Sequence, residues 1–247
     1  NIIYLPDGIL RYIPLAALHN GQQWFVQKYQ SHNITATSID NLSRTDSSSS
    51  SILAGAFTDA IPAYSVQIGQ EEFSYSGLSA ARQEINNLLT LAPDFTPSNT
   101  LSAAKNHSIV HLATHAKFLP GEPEASFILF GDGSTVNMRE MGQWELPDVE
   151  LVVFSACQTA VSAEADGKEL LGLGFQVQQA GAGAAIASLW AVDDTATAAL
   201  MTQFYTALSQ GNTKAEALRI AQQQLIASER FGHPYDWAGF ILIGNGL

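Results

Sequence analysis

Residues 149–156 form a mostly apolar run with three valines, a composition typical of a strand buried on both faces of a parallel sheet. Residues 109–114 and 184–190 have the same character. Segments with helical periodicity alternate with these runs, at 170–180, 195–208 and 214–228. This alternation predicts an α/β sandwich with a mostly parallel central sheet flanked by helices.

The remaining segments predict shorter elements and one surface loop. Apolar runs at 2–5 and 10–13 flank Pro6, Asp7 and Gly8, which predicts a hairpin or strand pair. The serine-rich segment 43–51 has no apolar anchor, so we expect a mobile surface loop there. Further strands are predicted at 52–57, 126–130 and 237–243, and helices at 79–91 and from Ser98 to about 106.

Composition and net charge limit the classes of protein to which this chain can belong. The 247 residues are 46% hydrophobic and 14% charged, with a single cysteine, so we expect one large domain over 1–247 without disulfides. The net charge of −12 argues against nucleic acid or anionic membrane as partners. No spanning helix or signal peptide is recognisable, which predicts a cytoplasmic protein. Because the chain opens with Asn1 and runs straight into an apolar segment, we expect a fragment of a longer polypeptide.

Two reactive side chains follow predicted strands. His115 comes directly after the strand at 109–114, and Cys157 follows the strand at 149–156. If these strands are adjacent and parallel, both residues emerge at the same sheet edge, where ligands bind in open α/β sheets. The imidazole would then take the thiol proton or stabilise the thiolate. The sequence therefore supplies a nucleophile and a base.

Each of these residues also has a structural interpretation. A lone cysteine in an apolar run is usually a small buried side chain, and a histidine at a strand end usually bonds a backbone carbonyl. Zinc held by His111 and His115 is a rival idea, but zinc needs at least three protein ligands, and the chain has no second cysteine and no H-E-x-x-H motif. We therefore predict no metal and no cofactor, and a structural, hydrogen-bonded role for His111.

Four motifs in order resemble the CHAT family, whose name records a caspase-like peptidase found beside tetratricopeptide repeats. They are HLATHAKF at 111–118, FSACQTA at 154–160, SLWAVDD at 188–194 and HPYDWAGFILIG at 233–244. The resemblance covers nearly the whole chain. It implies a caspase-like fold, kinship with separases, gingipains and caspases, and a catalytic dyad of Cys157 and His115. The two residues are 42 positions apart, near the separation of about 50 in caspases.

The resemblance also implies an oxyanion hole and an upstream partner. The backbone N–H groups of Cys157 and Ala116 would hold the oxyanion. Family members often have glycine where this chain has Ala116, so an extra methyl group approaches the substrate there. Tetratricopeptide repeats would precede the domain in the full-length chain, and the isolated domain would be weakly active or latent.

The acidic pair Asp193 and Asp194 is the best indication of substrate preference. In separases a similar segment carries an aspartate that receives a basic side chain, and Asp194 matches that position. The alternative is that Asp194 caps the helix at 195–208, which it directly precedes, and one aspartate could cap while the other binds. Gln158 either lines the same cleft or begins a turn. An Asp-specific pocket of the caspase kind would need a basic residue, and only Lys117 adjoins the motifs.

Together these observations predict a cysteine endopeptidase that cleaves a protein or peptide after arginine or lysine. One alternative is a catalytically silent signalling or scaffold domain that binds a protein partner. A second alternative is a small-molecule thiol hydrolase or acyltransferase, which would need an enclosed apolar pocket.

Overall fold

The structure, a computed structural model, describes residues 1–42, 51–85, 90–91, 94–119, 122–156 and 168–247. The predicted loop at 43–51 lies outside these residues apart from Ser51, and Cys157 and Gln158 also lie outside them. The strands of the described residues are β1 (Ile2–Tyr4), β2 (Ser31–Asn33), β3 (Ile52–Ala56), β4 (Tyr64–Ile68), β5 (Glu71–Tyr75), β6 (Thr90–Leu91), β7 (Ile109–Thr114), β8 (Ala116–Lys117), β9 (Phe127–Leu129), β10 (Thr135–Asn137), β11 (Leu151–Ala156), β12 (Ala184–Ser188) and β13 (Phe240–Gly244).

Helices connect these strands. Within the described residues they are α1 (Phe25–Lys28), α2 (Ser38–Asn41), α3 (Ala81–Ile85), α4 (Pro97–Ala104), α5 (Met138–Met141), α6 (Lys168–Gln179), α7 (Asp194–Ser209), α8 (Lys214–Ile226) and α9 (Pro234–Trp237), with short 3₁₀ helices at Gly8–Tyr12 and Leu15–Ala17. Among these, no helix is both long and apolar enough to cross a bilayer.

The main sheet has eight strands in the order β1-β2-β13-β12-β11-β7-β3-β6. Every neighbouring pair is parallel except β12 and β13, which run antiparallel. The mostly parallel sheet predicted from the sequence is therefore confirmed. The strand β7 has the predicted bounds, and it pairs with β11 along its whole length.

Helices cover both faces of this sheet, which gives three layers. Val110 and Leu112 of β7 face a core that includes Leu173 and Val177 of α6. Ile109, on the other face of the same strand, packs in a second core with side chains of α7 and α8. Alternate residues of one strand thus enter two cores, as expected for a strand buried on both sides.

The hairpin predicted at the beginning of the chain is wrong. The strand β1 pairs in parallel with β2 instead, and Gly8–Tyr12 is a 3₁₀ helix. Asp7 stabilises this helix, because its Oδ1 accepts a hydrogen bond from the Gly8 amide at 2.8 Å and contacts Arg11 Nη2 at 2.7 Å. The Pro-Asp-Gly sequence therefore initiates a helical turn rather than reversing the chain.

Several predicted bounds also differ from the structure. The helix expected at 79–91 is shorter, since α3 is Ala81–Ile85 and residues 90–91 form β6 beside β3. Thr96 rather than Ser98 caps α4, accepting a hydrogen bond from the Asn99 amide at 3.2 Å. The closing strand begins at Phe240 because Pro234 starts the short helix α9.

Two small sheets frame the end of β7. The chain continues from His115 into β8, which pairs antiparallel with β9, and β9 pairs with β10. The hairpin of β4 and β5 forms a separate two-stranded sheet. Tyr75 at its end contacts the ring of His115, so the hairpin closes one side of the candidate site.

Candidate functional site

The ends of β7 and β11 define the site. The last paired residues of the two strands are Thr114 and Ala156. His115 and Cys157 are the next residues along each chain segment. The adjacent, parallel arrangement on which the predicted dyad depends is therefore present, although Cys157 itself lies outside the described residues.

The imidazole of His115 is held at the end of the hairpin formed by β4 and β5. Its Nε2 lies 2.6 Å from the carbonyl oxygen of Ser76. The rings of Phe57 and Tyr75 both lie 5.1 Å from the imidazole, measured between ring centroids. A carbonyl oxygen only accepts hydrogen bonds, so Nε2 carries a proton. In the neutral ring Nδ1 then carries the lone pair that can accept a proton from a thiol.

Burial lowers the pKa of His115, while the bond to the Ser76 carbonyl and the charge of Asp194 oppose this shift. The neutral form of the imidazole is therefore the favoured one at neutral pH. This is the protonation state in which a histidine acts as a general base.

The backbone amide of Ala116 points away from the sheet that contains β8. Ala116 stands opposite Ile128 in the antiparallel pairing of β8 and β9. The neighbouring residue His115 forms the hydrogen bond to β9, because its carbonyl oxygen accepts a hydrogen bond from the Leu129 amide at 2.8 Å. Because such bonds alternate along an antiparallel pair, the Ala116 N–H is directed to the other side. Its methyl group is fully buried in the apolar core, so the expectation that this group approaches the substrate is wrong.

The two aspartates at the start of α7 have different roles. Asp193 is the N-cap, since its Oδ1 accepts hydrogen bonds from the amides of Thr195 at 2.9 Å and Ala196 at 3.2 Å. The side-chain bond from Thr195 is the main cause that lowers the pKa of Asp193. Asp194 is the first residue of the helix and is half-buried. The cap expected at Asp194 is therefore wrong by one residue, because Asp193 is the cap, and Asp194 is left available for another role.

Asp194 lies within electrostatic range of His115. Burial raises the pKa of Asp194, and the charges of Asp193 and Glu84 raise it further, while His115 lowers it. A half-buried carboxylate with a raised pKa gains most from an incoming cation, because the cation replaces lost hydration.

Lys117, the basic residue closest to the motifs in the sequence, is buried under the hairpin. Its Nζ lies 3.1 Å from the centroid of the Phe73 ring, and the residue is 8% exposed. Burial lowers the pKa of Lys117, with Glu71 opposing the shift. The ammonium group is thus engaged by β5, which gives no support to an Asp-specific pocket built on Lys117.

Three features of the site were not predicted from the sequence. The Ser76 carbonyl is a backbone group of a distant loop and leaves no sequence signal. Glu84 is 5% exposed and its Oε1 lies 2.9 Å from Nε2 of His111. Its signal was present, because Glu84 interrupts the apolar helical stripe of Ala81 and Ile85. Tyr205, whose hydroxyl lies 2.7 Å from His111 Nδ1, has no such signal.

Comparison with known proteins gives a family and a fold. A family model described as CHAT domain matches residues 1–245. Tetratricopeptide repeat protein 28 of Homo sapiens and that of Mus musculus are each 28% identical to this chain, over 190 and 189 residues. Each alignment covers 62% of this chain but only 8% of the relative, so the chain spans a small part of their length.

Solved structures of cysteine proteases have a similar fold. The Arg-specific cysteine proteinase gingipain R aligns over 88% of this chain and 54% of its own, with a TM-score of 0.54 and 13% identity. The separase of the Saccharomyces cerevisiae separase–securin complex aligns over 96% of this chain and 15% of its own, with a TM-score of 0.58 and 10% identity. The caspase-like fold expected from the motifs is therefore confirmed.

Proposed function

This chain belongs to the CHAT domain family, and from that premise we propose that it is a cysteine endopeptidase in which Cys157 is the nucleophile and His115 the general base. The observation that carries the proposal is the position of His115. It follows a strand whose last residue pairs with the residue before Cys157, and Ser76 holds its Nε2 so that Nδ1 is free to face a thiol.

The reaction would follow the usual order for a thiol nucleophile. Nδ1 of His115 takes the proton of the Cys157 thiol, and the thiolate attacks the peptide carbonyl carbon. The tetrahedral intermediate collapses with cleavage of the C–N bond, and the imidazolium returns its proton to the leaving amine. The imidazole then deprotonates water, which hydrolyses the thioester and releases Cys157.

Two backbone amides would stabilise the oxyanion of the intermediate. The N–H of Ala116 is directed away from β9 and follows the general base immediately. The N–H of Cys157 is the second donor, by analogy with the family pattern. Removing one such donor typically costs about 2.7–4 kcal/mol of transition-state stabilisation, so both matter to the rate.

The substrate side chain before the scissile bond would be basic. Asp194 is half-buried, is within electrostatic range of His115, and is free of the capping role that Asp193 performs. Arginine suits such a site better than lysine because its planar guanidinium holds a carboxylate through two parallel hydrogen bonds. Gingipain R, which has a similar fold, is an Arg-specific proteinase, and this is consistent with the preference. Gln158, next to the nucleophile, would line the same cleft.

The natural context would include tetratricopeptide repeats upstream of a cytoplasmic peptidase domain. The curated relatives are tetratricopeptide repeat proteins of much greater length. Repeats of this kind form extended concave surfaces that bind protein partners. The repeats would therefore control access of a protein substrate to the domain.

A mixed peptide library with mass-spectrometric identification of the cut sites tests the proposal. The unmodified protein should cut after arginine and lysine, and Cys157→Ala should abolish cleavage. His115→Ala should lower kcat/KM by at least about 100-fold. His107→Ala is the matched control, because His107 also contacts a backbone carbonyl, that of Ala103 at 2.8 Å, but lies three residues after the end of α4. Cleavage that survives in Cys157→Ala would refute the nucleophile, and binding of peptides without any cleavage would favour a silent scaffold domain.

A further inference from the structure

The hairpin of β4 and β5 stands apart from the larger sheets. It forms a two-stranded sheet of its own and shares no ladder with the other sheets of the described residues. Residues 66–69 at its tip form one wall of a groove of about 300 Å³. A two-stranded hairpin is at best marginally stable by itself. The position of this hairpin therefore depends on the side chains that pack against its base.

Four side chains join the base of the hairpin to the small sheet of β8 and β9. Phe73 and Tyr75 lie on one face of β5, because alternate residues of a strand share a face. Lys117 of β8 stands opposite Phe127 of β9. The Nζ of Lys117 lies 3.1 Å from the centroid of the Phe73 ring. The ring centroids of Tyr75 and Phe127 lie 6.3 Å apart. These four side chains form the hairpin cluster.

The hairpin cluster leads directly to the imidazole of His115. Tyr75 is the last residue of β5, and its ring contacts that of His115 at 5.1 Å between centroids. The carbonyl oxygen of the next residue, Ser76, lies 2.6 Å from Nε2 of His115. Lys117 follows His115 by two residues. Residues 115–117 thus contact residues 73–76 at two points, through the imidazole and through the Lys117 side chain.

A lysine at the buried position under the hairpin has a cost that an apolar residue would not have. Lys117 is 8% exposed, and removing an ammonium group from water is unfavourable unless a partner replaces the water. A cation is attracted to the face of an aromatic ring, so its contact with Phe73 is directional, unlike an apolar contact. Burial lowers the pKa of Lys117, and the charge of Glu71 raises it. Phe73 and Glu71 both belong to β5, so the groups that favour the charge of Lys117 lie on the hairpin.

We propose that Lys117 is a positioning residue for His115, because its contact with Phe73 fixes the hairpin where the Ser76 carbonyl meets Nε2. This inference rests on the proposed function, since it concerns the general base of that reaction. The Ser76 carbonyl selects the tautomer with the proton on Nε2 and the lone pair on Nδ1. Without the contact between Lys117 and Phe73 the hairpin shifts, and the carbonyl no longer selects one tautomer. Lys117 acts through His115 and not through the substrate, because it is buried under the hairpin.

Nitrogen NMR of the histidine rings tests this role without requiring catalysis. In the Cys157→Ala protein labelled at histidine, the ring of His115 should carry its proton on Nε2, and its signals are assigned by their loss in His115→Ala. Lys117→Leu keeps an apolar side chain under the hairpin but removes the ammonium group. Exchange of the Nε2 proton with water should become about tenfold faster, as expected for the loss of a contact between a desolvated cation and a ring. A population with the proton on Nδ1 should also appear.

Steady-state kinetics and a conservative substitution give a second readout. In the protein that retains Cys157, Lys117→Leu should lower kcat for peptide cleavage by about tenfold and leave KM within about twofold. The general base is then less often in the productive tautomer, whereas the contacts with the substrate are unchanged. Lys117→Arg should restore both kcat and the proton on Nε2, since a guanidinium group is also attracted to the face of a ring.

Lys28→Leu is the matched control. The Nζ of Lys28 also lies over an aromatic ring, 5.3 Å from the centroid of Tyr29, but at an exposed position of α1. This substitution should leave the tautomer of His115 and kcat unchanged. A merely structural role would lower the melting temperature of Lys117→Leu and leave its tautomer and kcat like those of Lys28→Leu, and this result would overturn the inference.

The two readouts separate this inference from the proposed function. If the unmodified protein cleaves peptides and Lys117→Leu keeps both its kcat and its tautomer, the peptidase stands and the role of Lys117 is refuted. If no cleavage is found but the tautomer of His115 depends on Lys117, the role stands and the peptidase fails. If Lys117→Leu does not fold, Phe73→Leu removes the same contact from the hairpin side and should change the tautomer in the same way. Lys117 ε-methylene protons without a ring-current shift in the unmodified protein would overturn the inference in every case.

Discussion

His111 and His32 are both buried in the middle of strands, yet their surroundings are opposite. Nδ1 of His111 lies 2.7 Å from the Tyr205 hydroxyl and bonds it, and Nε2 approaches Oε1 of Glu84 to 2.9 Å without forming a hydrogen bond among the described residues. His32 in β2 is 1% exposed, and neither of its ring nitrogens has a hydrogen-bond partner among the described residues. Burial lowers the pKa of His32 to about 4, and the charge of Lys214 adds to this shift.

The difference shows two ways in which the same sheet accommodates a buried imidazole. Near the site, polar side chains from three elements converge on His111, and the bond between His111 and Tyr205 offsets part of the cost of burying them. At the other edge of the sheet, the backbone of Gly246 packs against the His32 ring, leaving no room for a side chain there. We therefore expect changes at both residues to affect stability, through a lost hydrogen bond at His111 and through protonation of the imidazole at His32.

Among the substitutions that test this comparison, His111→Ala should have the largest effect on stability. His111→Ala leaves the Glu84 carboxylate and the Tyr205 hydroxyl buried without their partner, which should lower the free energy of unfolding by about 3–5 kcal/mol. Urea denaturation measures this change, with His107→Ala as the control that should lose far less. A loss below about 1 kcal/mol at His111 would show that the cluster is not a stabilising unit.

Acid should destabilise the protein through His32. Its folded-state pKa of about 4 lies below the ordinary value of 6.5, so the unfolded chain binds the proton more readily. The contribution of His32 is complete above pH 6.5 and is lost as the pH falls toward 4, by about 3 kcal/mol. His32→Phe should remove this part of the pH dependence of the unfolding free energy. Equal slopes for the two proteins between pH 6.5 and 4 would contradict the account of His32.

Tyr205→Phe should have a smaller effect than the change at His111. It removes the hydrogen bond between Tyr205 and the buried imidazole of His111 and leaves the contact between His111 and Glu84. The free energy of unfolding should therefore fall by about 1–1.5 kcal/mol. Tyr29→Phe, at an exposed position, should change stability by less than about 0.5 kcal/mol. Chemical denaturation measures the free energy of unfolding of both variants. Equal losses in Tyr205→Phe and Tyr29→Phe would contradict this expectation.

The two aspartates should respond in opposite directions. Asp193→Ala removes the N-cap of α7 and should lower the free energy of unfolding by about 1 kcal/mol. Asp194→Asn removes a carboxyl whose pKa is raised by burial, so the melting temperature should rise at neutral pH while cleavage after arginine slows. A melting temperature that falls in Asp194→Asn would mean that Asp194, too, is a structural residue.

Most of the site-bearing framework was predictable because it depends on local composition. The apolar runs at 109–114 and 149–156 indicated two buried parallel strands, and the structure places them side by side as β7 and β11. The sequence also located the acidic pair at the start of a helix. The cap was predicted at Asp194 and is Asp193, because the first helical turn begins at Asp194 rather than Thr195.

Other features depend on contacts between distant parts of the chain. The bond from His115 to the Ser76 carbonyl joins residues 39 apart and involves a backbone group that any residue supplies. The error at the beginning of the chain has a similar origin, because β1 pairs with β2 almost thirty residues later. Local turn signals favoured a hairpin there, and the parallel pairing at the sheet edge overrode them.

Covalent labelling tests the central claim, that His115 and Asp194 serve a nucleophile at Cys157. A peptidyl-arginine acyloxymethyl ketone should react at Cys157, where the thiolate displaces the carboxylate leaving group and forms a thioether visible by mass spectrometry. Labelling should slow by at least about tenfold in His115→Ala and in Asp194→Asn, and the corresponding peptidyl-aspartate probe should label poorly. Labelling that is equally fast in these variants, or faster with the aspartate probe, would contradict the account.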